Sequence, residues 1–287
     1  MDGCRDRRPG RSRRSWLKVL APCVLAAVNL GWSDATVRWV AWSAVEFFPP
    51  DFRGHVRKHH ARYDAGIRRG LSAPPSRRSG TPGNLEQALE SQLVHCAQAL
   101  RQPVPLEEWV EEIGVLAVRV LDASDPLAVQ HWDPQEPRYA AAYMEYVDTL
   151  HDRMRLVYYG QDERLIYDHD LENAVTHAMS RGAELYPRVG EEFFRTGQLR
   201  DWRTLDDRSV AFGVAAISLS WALTDLANFT SYVWHYGGGQ IPTPRPTPIG
   251  HVGRTVTLPL EGGFPERNLP GRGEPAMPPS RIQLPPP

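Results

Sequence analysis

Apolar side chains recur three or four positions apart through most of this chain, and nowhere do they alternate over a sustained run. Over 85–101 the residues Leu85, Ala88, Leu89, Leu93, Cys96, Ala97 and Leu100 trace one stripe, the spacing of a helix that buries a single face. Pro103 and Pro105 close that segment, and 106–121 reads as the next helix. Further helices are expected over 144–159, 171–195 and 207–236, with Asp170 and either Asp206 or Asp207 as N-caps. Pro187 should kink or split the helix over 171–195. No segment combines period-two patterning with hairpin turns, so the expected fold class is all-α, a single multi-helix domain.

The last of these helices opens with the apolar run 210–223. Asp225 and Asn228 interrupt it before the roughly 20 apolar residues that a bilayer requires, so it is expected to be a buried core helix. Trp221, Phe229, Tyr232, Trp234 and Tyr236 near its end are expected to be packing residues. Beyond Gly237 the composition changes: prolines recur from Pro242 to Pro287 with few apolar residues to close a core, which predicts an extended or disordered tail over 238–287.

The other end differs in charge. Arg5, Arg7, Arg8, Arg11, Arg13, Arg14 and Lys18 precede an apolar run over 19–31. That is the layout of an export signal, too short to span a bilayer comfortably. Ser12-Arg13-Arg14-Ser15-Trp16-Leu17-Lys18 is similar to a twin-arginine signal, an address for exporting folded proteins. The segment 1–31 is therefore expected to direct export to the periplasm, envelope or medium, or to anchor the chain if it is not cleaved. Cleavage after Gly31 would expose Trp32, whereas cleavage after Ala35 fits the small-x-small rule.

The 287 residues, 41% of them hydrophobic, suit one domain of about 200 residues with tails. A net charge of −1 gives no basis for general nucleic-acid binding. Cys96 is the only cysteine beyond the first 31 residues, and on an apolar stripe it is expected to be a small core residue rather than a nucleophile.

The order of several segments resembles the zinc-dependent phospholipase C and single-strand-specific nuclease superfamily. Gly114-Val-Leu-Ala-Val-Arg-Val-Leu-Asp122-Ala-Ser-Asp-Pro126-Leu-Ala128 is similar to the family's Gly-x-Leu-x-His-x-x-x-Asp-x-x-x-Pro-Leu-His, with Asp122 in place and Val118 and Ala128 where the histidines stand. Gly31-Trp32 looks like the family's mature beginning, where an N-terminal Trp and a His bind zinc; the His position here is Val37. Phe47-Phe-Pro-Pro-Asp-Phe-Arg resembles the passage from the first helix to the second. The loop that follows, 72–83, has neither the Asp nor the His that the family carries there. Over 137–148 the family's His-x-x-x-Glu falls on Ala140 or Ala141 and on Met144 or Glu145.

The resemblance implies a helical domain over 32–237 in which only Asp122 and Trp32 are left as metal ligands. Valine and alanine have no lone pair to give a cation, so the implied chemistry is lost and no cofactor is expected. The resulting expectation is an exported, non-catalytic binding or structural domain, its partner a phospholipid, a nucleotide or an envelope protein, touching membrane only through its export segment. The alternative is a zinc-dependent phosphodiester hydrolase with a reorganised site. Such a site could draw on His95, His131, His151 or His177 around Asp122, or on Asp170, His177 and Glu184, which are seven apart. Ordinary readings compete with both: Asp170 as a cap, His59 and His60 among Arg57, Lys58 and Arg62 as a solvated basic face, and Glu107, Glu108, Glu111 and Glu112 as a solvated acidic one.

Overall fold

A computed structural model describes residues 31–72, 82–194, 199–241 and 254–256. They are mostly helical: α1 Asp34–Val45, α2 Pro50–Lys58, α3 His60–Ser72, α4 Pro82–Leu100, α5 Leu106–Ala123, the single turn α6 Pro126–Val129, α7 Glu136–Leu150, α8 Leu171–Phe194 and α9 Val210–Tyr236. The export segment with Arg13 and Arg14, most of the loop 72–83 and most of the tail lie outside the described residues.

Helix α9 is the axis of the packing, touching α1, α4, α5, α7 and α8. It starts at Ser209, whose hydroxyl accepts from the Phe212 N–H at 3.0 Å, rather than at Asp206 or Asp207. Asp206 instead accepts from the Arg208 N–H and shapes the turn just before the cap. Its length and apolarity would suffice for a membrane span, yet nearly all residues from Ala211 to Val233 that face the other helices are buried. At its far end Trp234 joins Phe52 and Trp109 in an aromatic cluster, with ring centroids 5.4 and 5.8 Å from it.

Helices α3 and α5 cross with their backbones in contact. A methyl group on Gly66 would lie 1.9 Å from the Glu111 carbonyl oxygen, and one on Gly114 would lie 2.3 Å from the Tyr63 carbonyl oxygen. Only glycine at both positions permits this approach. Beside the crossing, the two charged faces expected to be solvated meet one another. Arg62 pairs with Glu107 and Glu111 at 3.8 and 3.3 Å, Arg69 pairs with Glu111 and Glu112 at 2.9 and 2.6 Å, and His59 lies 3.6 Å from Glu107. Such half-exposed pairs contribute at most about 1 kcal/mol each, so they set the register of the crossing more than its strength.

Two helical expectations are corrected. The segment expected to be helical over 144–159 forms α7 earlier, at Glu136–Leu150 with Pro137 in its first turn, and then a 3-10 turn and a strand, β1 Leu156–Tyr158. An apolar spacing read on its own ran through a change of structure there. Pro187 does not split α8, which is continuous from Leu171 to Phe194. Proline removes one hydrogen bond, and Tyr186, Val189 and Phe193, all buried around it, hold the helix in place. Within the tail, β2 Arg254–Val256 pairs antiparallel with β1, Leu156 facing Val256 and Tyr158 facing Arg254.

The crossing gives a paired expectation. Gly114→Ala forces α3 and α5 apart and should lower unfolding free energy by about 1–3 kcal/mol. Gly54→Ala, on α2 with no atom within 4 Å of the added methyl, should be neutral or stabilising by up to about 1 kcal/mol. Urea unfolding of both variants checks the contrast; equal effects would discard the close-contact account.

Candidate functional site

Several positions that the resemblance assigns to zinc are packed apolar ground. Val37 on α1 and Val118 on α5 are fully buried. Val118 fills the space beside Gly70, where a methyl group would meet its side chain at 2.8 Å. On α7 the inward register is Ala140 and Met144, while Glu145 points outward and accepts from the Trp202 indole at 3.0 Å. The carboxylate of the His-x-x-x-Glu pattern is therefore not in the interior. Ala128 sits half-buried on α6.

Trp32 and Asp122 are both buried, 4% and 3% exposed. The indole N–H of Trp32 has no partner, and its ring lies 6.0 Å from that of Tyr143, whose hydroxyl is also buried without one. Asp125 caps α6, accepting from the Leu127 N–H at 2.9 Å. Burial pushes its carboxyl up to about 7, with the charges of Asp122 and Glu136 adding to the rise against that hydrogen bond. Glu136 accepts from the Tyr186 hydroxyl and lies 2.9 Å from Nδ1 of His131, which raises the pKa of that histidine. Tyr139 donates to Asp133 at 3.1 Å.

These carboxylates are engaged with protein partners rather than converging on a point. Among the described residues no group of three or more His, Cys, Asp or Glu is placed to hold a metal ion. His95 lies 3.6 Å from Glu112, His131 lies 2.9 Å from Glu136, His151 bonds the Asp148 carbonyl and His177 lines a cavity beside Asp225, so the four histidines have separate surroundings. The described residues do not fit a zinc cluster. Cys96 is buried, and its thiol is pushed up to about 12, chiefly by that burial, as suits a core residue.

A concave site lies elsewhere. A cavity of about 170 Å³ opens between α8, α9 and the loop after β1. Among the residues that line it, α9 contributes Thr224, Asp225 and Asn228. Ser220, Thr224 and Asn228 form a stripe one turn apart, and each bonds the chain that runs alongside. Ser220 accepts from the Val157 N–H at 3.1 Å and Thr224 from the Tyr159 N–H at 3.1 Å. Asn228 accepts from the Asp162 N–H and donates to the Gly160 carbonyl, both at 3.1 Å. Gly160 has φ +116°, a backbone conformation that favours glycine.

Next to the stripe, Asp225 makes a direct ion pair with Arg181 of α8. Burial raises the pKa of Asp225, opposed by Arg181 and by His177. His177 lines the cavity, whereas Asp170 and Glu184, which the seven-residue spacing put with it, do not. Tyr159, 42% exposed, stands at the mouth. Sequence reasoning took Asp225 and Asn228 only as breaks in an apolar run. The signal it passed over was the spacing of Ser220, Thr224 and Asn228, four apart on one helix face.

No family model matches the chain, and neither does any curated protein.

The buried Asp125 carboxyl makes stability depend on pH. Its folded pKa, near 7, exceeds the ordinary value of 3.8, so its contribution is full below about pH 4 and is lost as pH rises through 7. The raised His131 acts in the same direction. Asp125→Asn keeps the cap acceptor and removes the charge. Urea unfolding at pH 5.5 and 8 should show the wild type losing on the order of 2 kcal/mol more than the variant between the two. An unchanged slope in Asp125→Asn would refute the assignment.

Proposed function

We propose that this chain is an exported, non-catalytic binding domain built on a helical scaffold like that of the zinc-dependent phospholipases C and single-strand nucleases. The observation that carries the reading is the apolar packing of Val37, Val118, Ala140 and Met144, the inward positions where the resemblance calls for zinc donors. Adjacent dications need several imidazole or carboxylate donors to hold them and to acidify a bound water. Alkyl and thioether side chains supply neither. A site that still offers fixed polar groups to a small molecule, the α8–α9 cavity, gives the scaffold something to bind with.

Elemental mass spectrometry of the full chain after equilibration with zinc and dialysis, with an assay on bis(p-nitrophenyl) phosphate, tests the loss of catalysis. The expected result is zinc well below one per chain and no hydrolysis. Zinc held at about two per chain together with hydrolysis would restore the hydrolase reading. Export is tested separately by Arg13→Lys with Arg14→Lys, which should leave the protein inside the cell if the twin arginines are its address. Undiminished export of that variant would place the chain on another route.

A further inference from the structure

The α8–α9 cavity is small, closed on its floor and unlike a site for an ion. At about 170 Å³ it is close to the roughly 150 Å³ that accommodates one six-membered ring in a protein interior. Its charges are mixed. Arg181 is paired with Asp225, and Asp162 and His177 complete the set. An inorganic anion would face two carboxylates, a metal cation would face a guanidinium, and an apolar ligand would strand all four groups without water.

The polar groups are also fixed in advance. The side chain of Asp162 accepts from the Leu165 N–H at 3.1 Å, Asn228 is held by two backbone groups, and Asp225 is held by Arg181. Carboxylate, amide and guanidinium groups keep further lone pairs and N–H bonds after one partner is met. Such an array of planar donors and acceptors, oriented before a ligand arrives, suits a molecule carrying several neighbouring groups that both donate and accept. Hydroxyls are such groups. At the mouth, the half-exposed ring of Tyr159 offers a flat apolar surface for a ring face.

We propose that this cavity binds one pyranose unit of a neutral sugar, its hydroxyls meeting Asp162, His177, Arg181, Asp225 and Asn228 and one ring face lying on Tyr159. This rests on reading the chain as a binding domain and names the ligand class of that site. Free monosaccharide and the terminal unit of a longer glycan present the same chemistry. They differ only in what projects from the mouth.

The test is isothermal titration calorimetry on the full chain with glucose, galactose, mannose and N-acetylglucosamine, their methyl glycosides and disaccharides, and with inorganic phosphate and glycine betaine as charged controls. At least one pyranose should bind with a Kd of about 0.1–5 mM, changing less than twofold between about 0.1 and 1 M NaCl. Affinity should fall at least about tenfold in Tyr159→Ala and in His177→Ala. Both side chains are exposed, and circular dichroism checks that the variants fold. A ligand preferred as the disaccharide identifies a glycan end as the source, and equal binding identifies the free sugar.

The proposal is overturned by no heat with any sugar at about 20 mM, by salt-sensitive binding of phosphate or betaine in place of sugars, or by sugar binding that both variants keep. Failure here leaves the loss of catalysis standing, because zinc content and hydrolysis are read separately. Retained zinc with hydrolysis would remove that reading without touching the sugar result.

Discussion

Once a strand is buried beside a helix, its backbone N–H groups have to be paired on that side, and here α9 provides the partners from its own side chains. Four residues of helix advance about 6 Å, and two residues of strand advance about 6.6–6.8 Å. The near match lets Ser220, Thr224 and Asn228 meet the alternate backbone groups of 157, 159 and then 160 and 162 in turn. The opposite edge of β1 pairs with β2. One face of an otherwise apolar helix thus takes the role of a neighbouring strand. The position of the loop after β1, and with it the wall of the α8–α9 cavity, follows from that match.

The other packing constraint is the backbone contact between α3 and α5 at Gly66 and Gly114. It brings α5 so close to α3 that Val118 comes to rest on Gly70. The same contact that tightens the bundle fills the place of an expected histidine with hydrocarbon. Placing a histidine at position 118 would therefore require repacking α3 as well as exchanging one side chain.

Much of the helical architecture was legible because apolar spacing reports which face of a helix is buried. The expected segments 85–101, 106–121 and 171–195 lie close to α4, α5 and α8. Where the pattern misled, at 144–159, an apolar spacing spans a helix, a turn and a strand, and spacing by itself carries no signal for that change. The cavity was less legible because its parts come from three separate segments. Arg181 and Asp225 are 44 positions apart and become partners only through the packing of α8 on α9. Asp122 and Trp32, singled out by resemblance, are both buried, and among the described residues no group of three or more His, Cys, Asp or Glu is placed to hold a metal ion.

The pairing of β1 with β2 also has an entropic side. Leu156 and Val256 are joined across a hundred positions of sequence, and the entropy of closing a loop grows with its length. The hydrogen bonds on the other side of β1 come from α9, whose stripe begins at Ser220. Take away α9 and β2, and β1 has no hydrogen-bonding neighbour on either edge, so the strand depends on both. The short sheet therefore joins segments that lie far apart in the sequence, at a loop-closure cost that the hydrogen bonds within a helix do not carry.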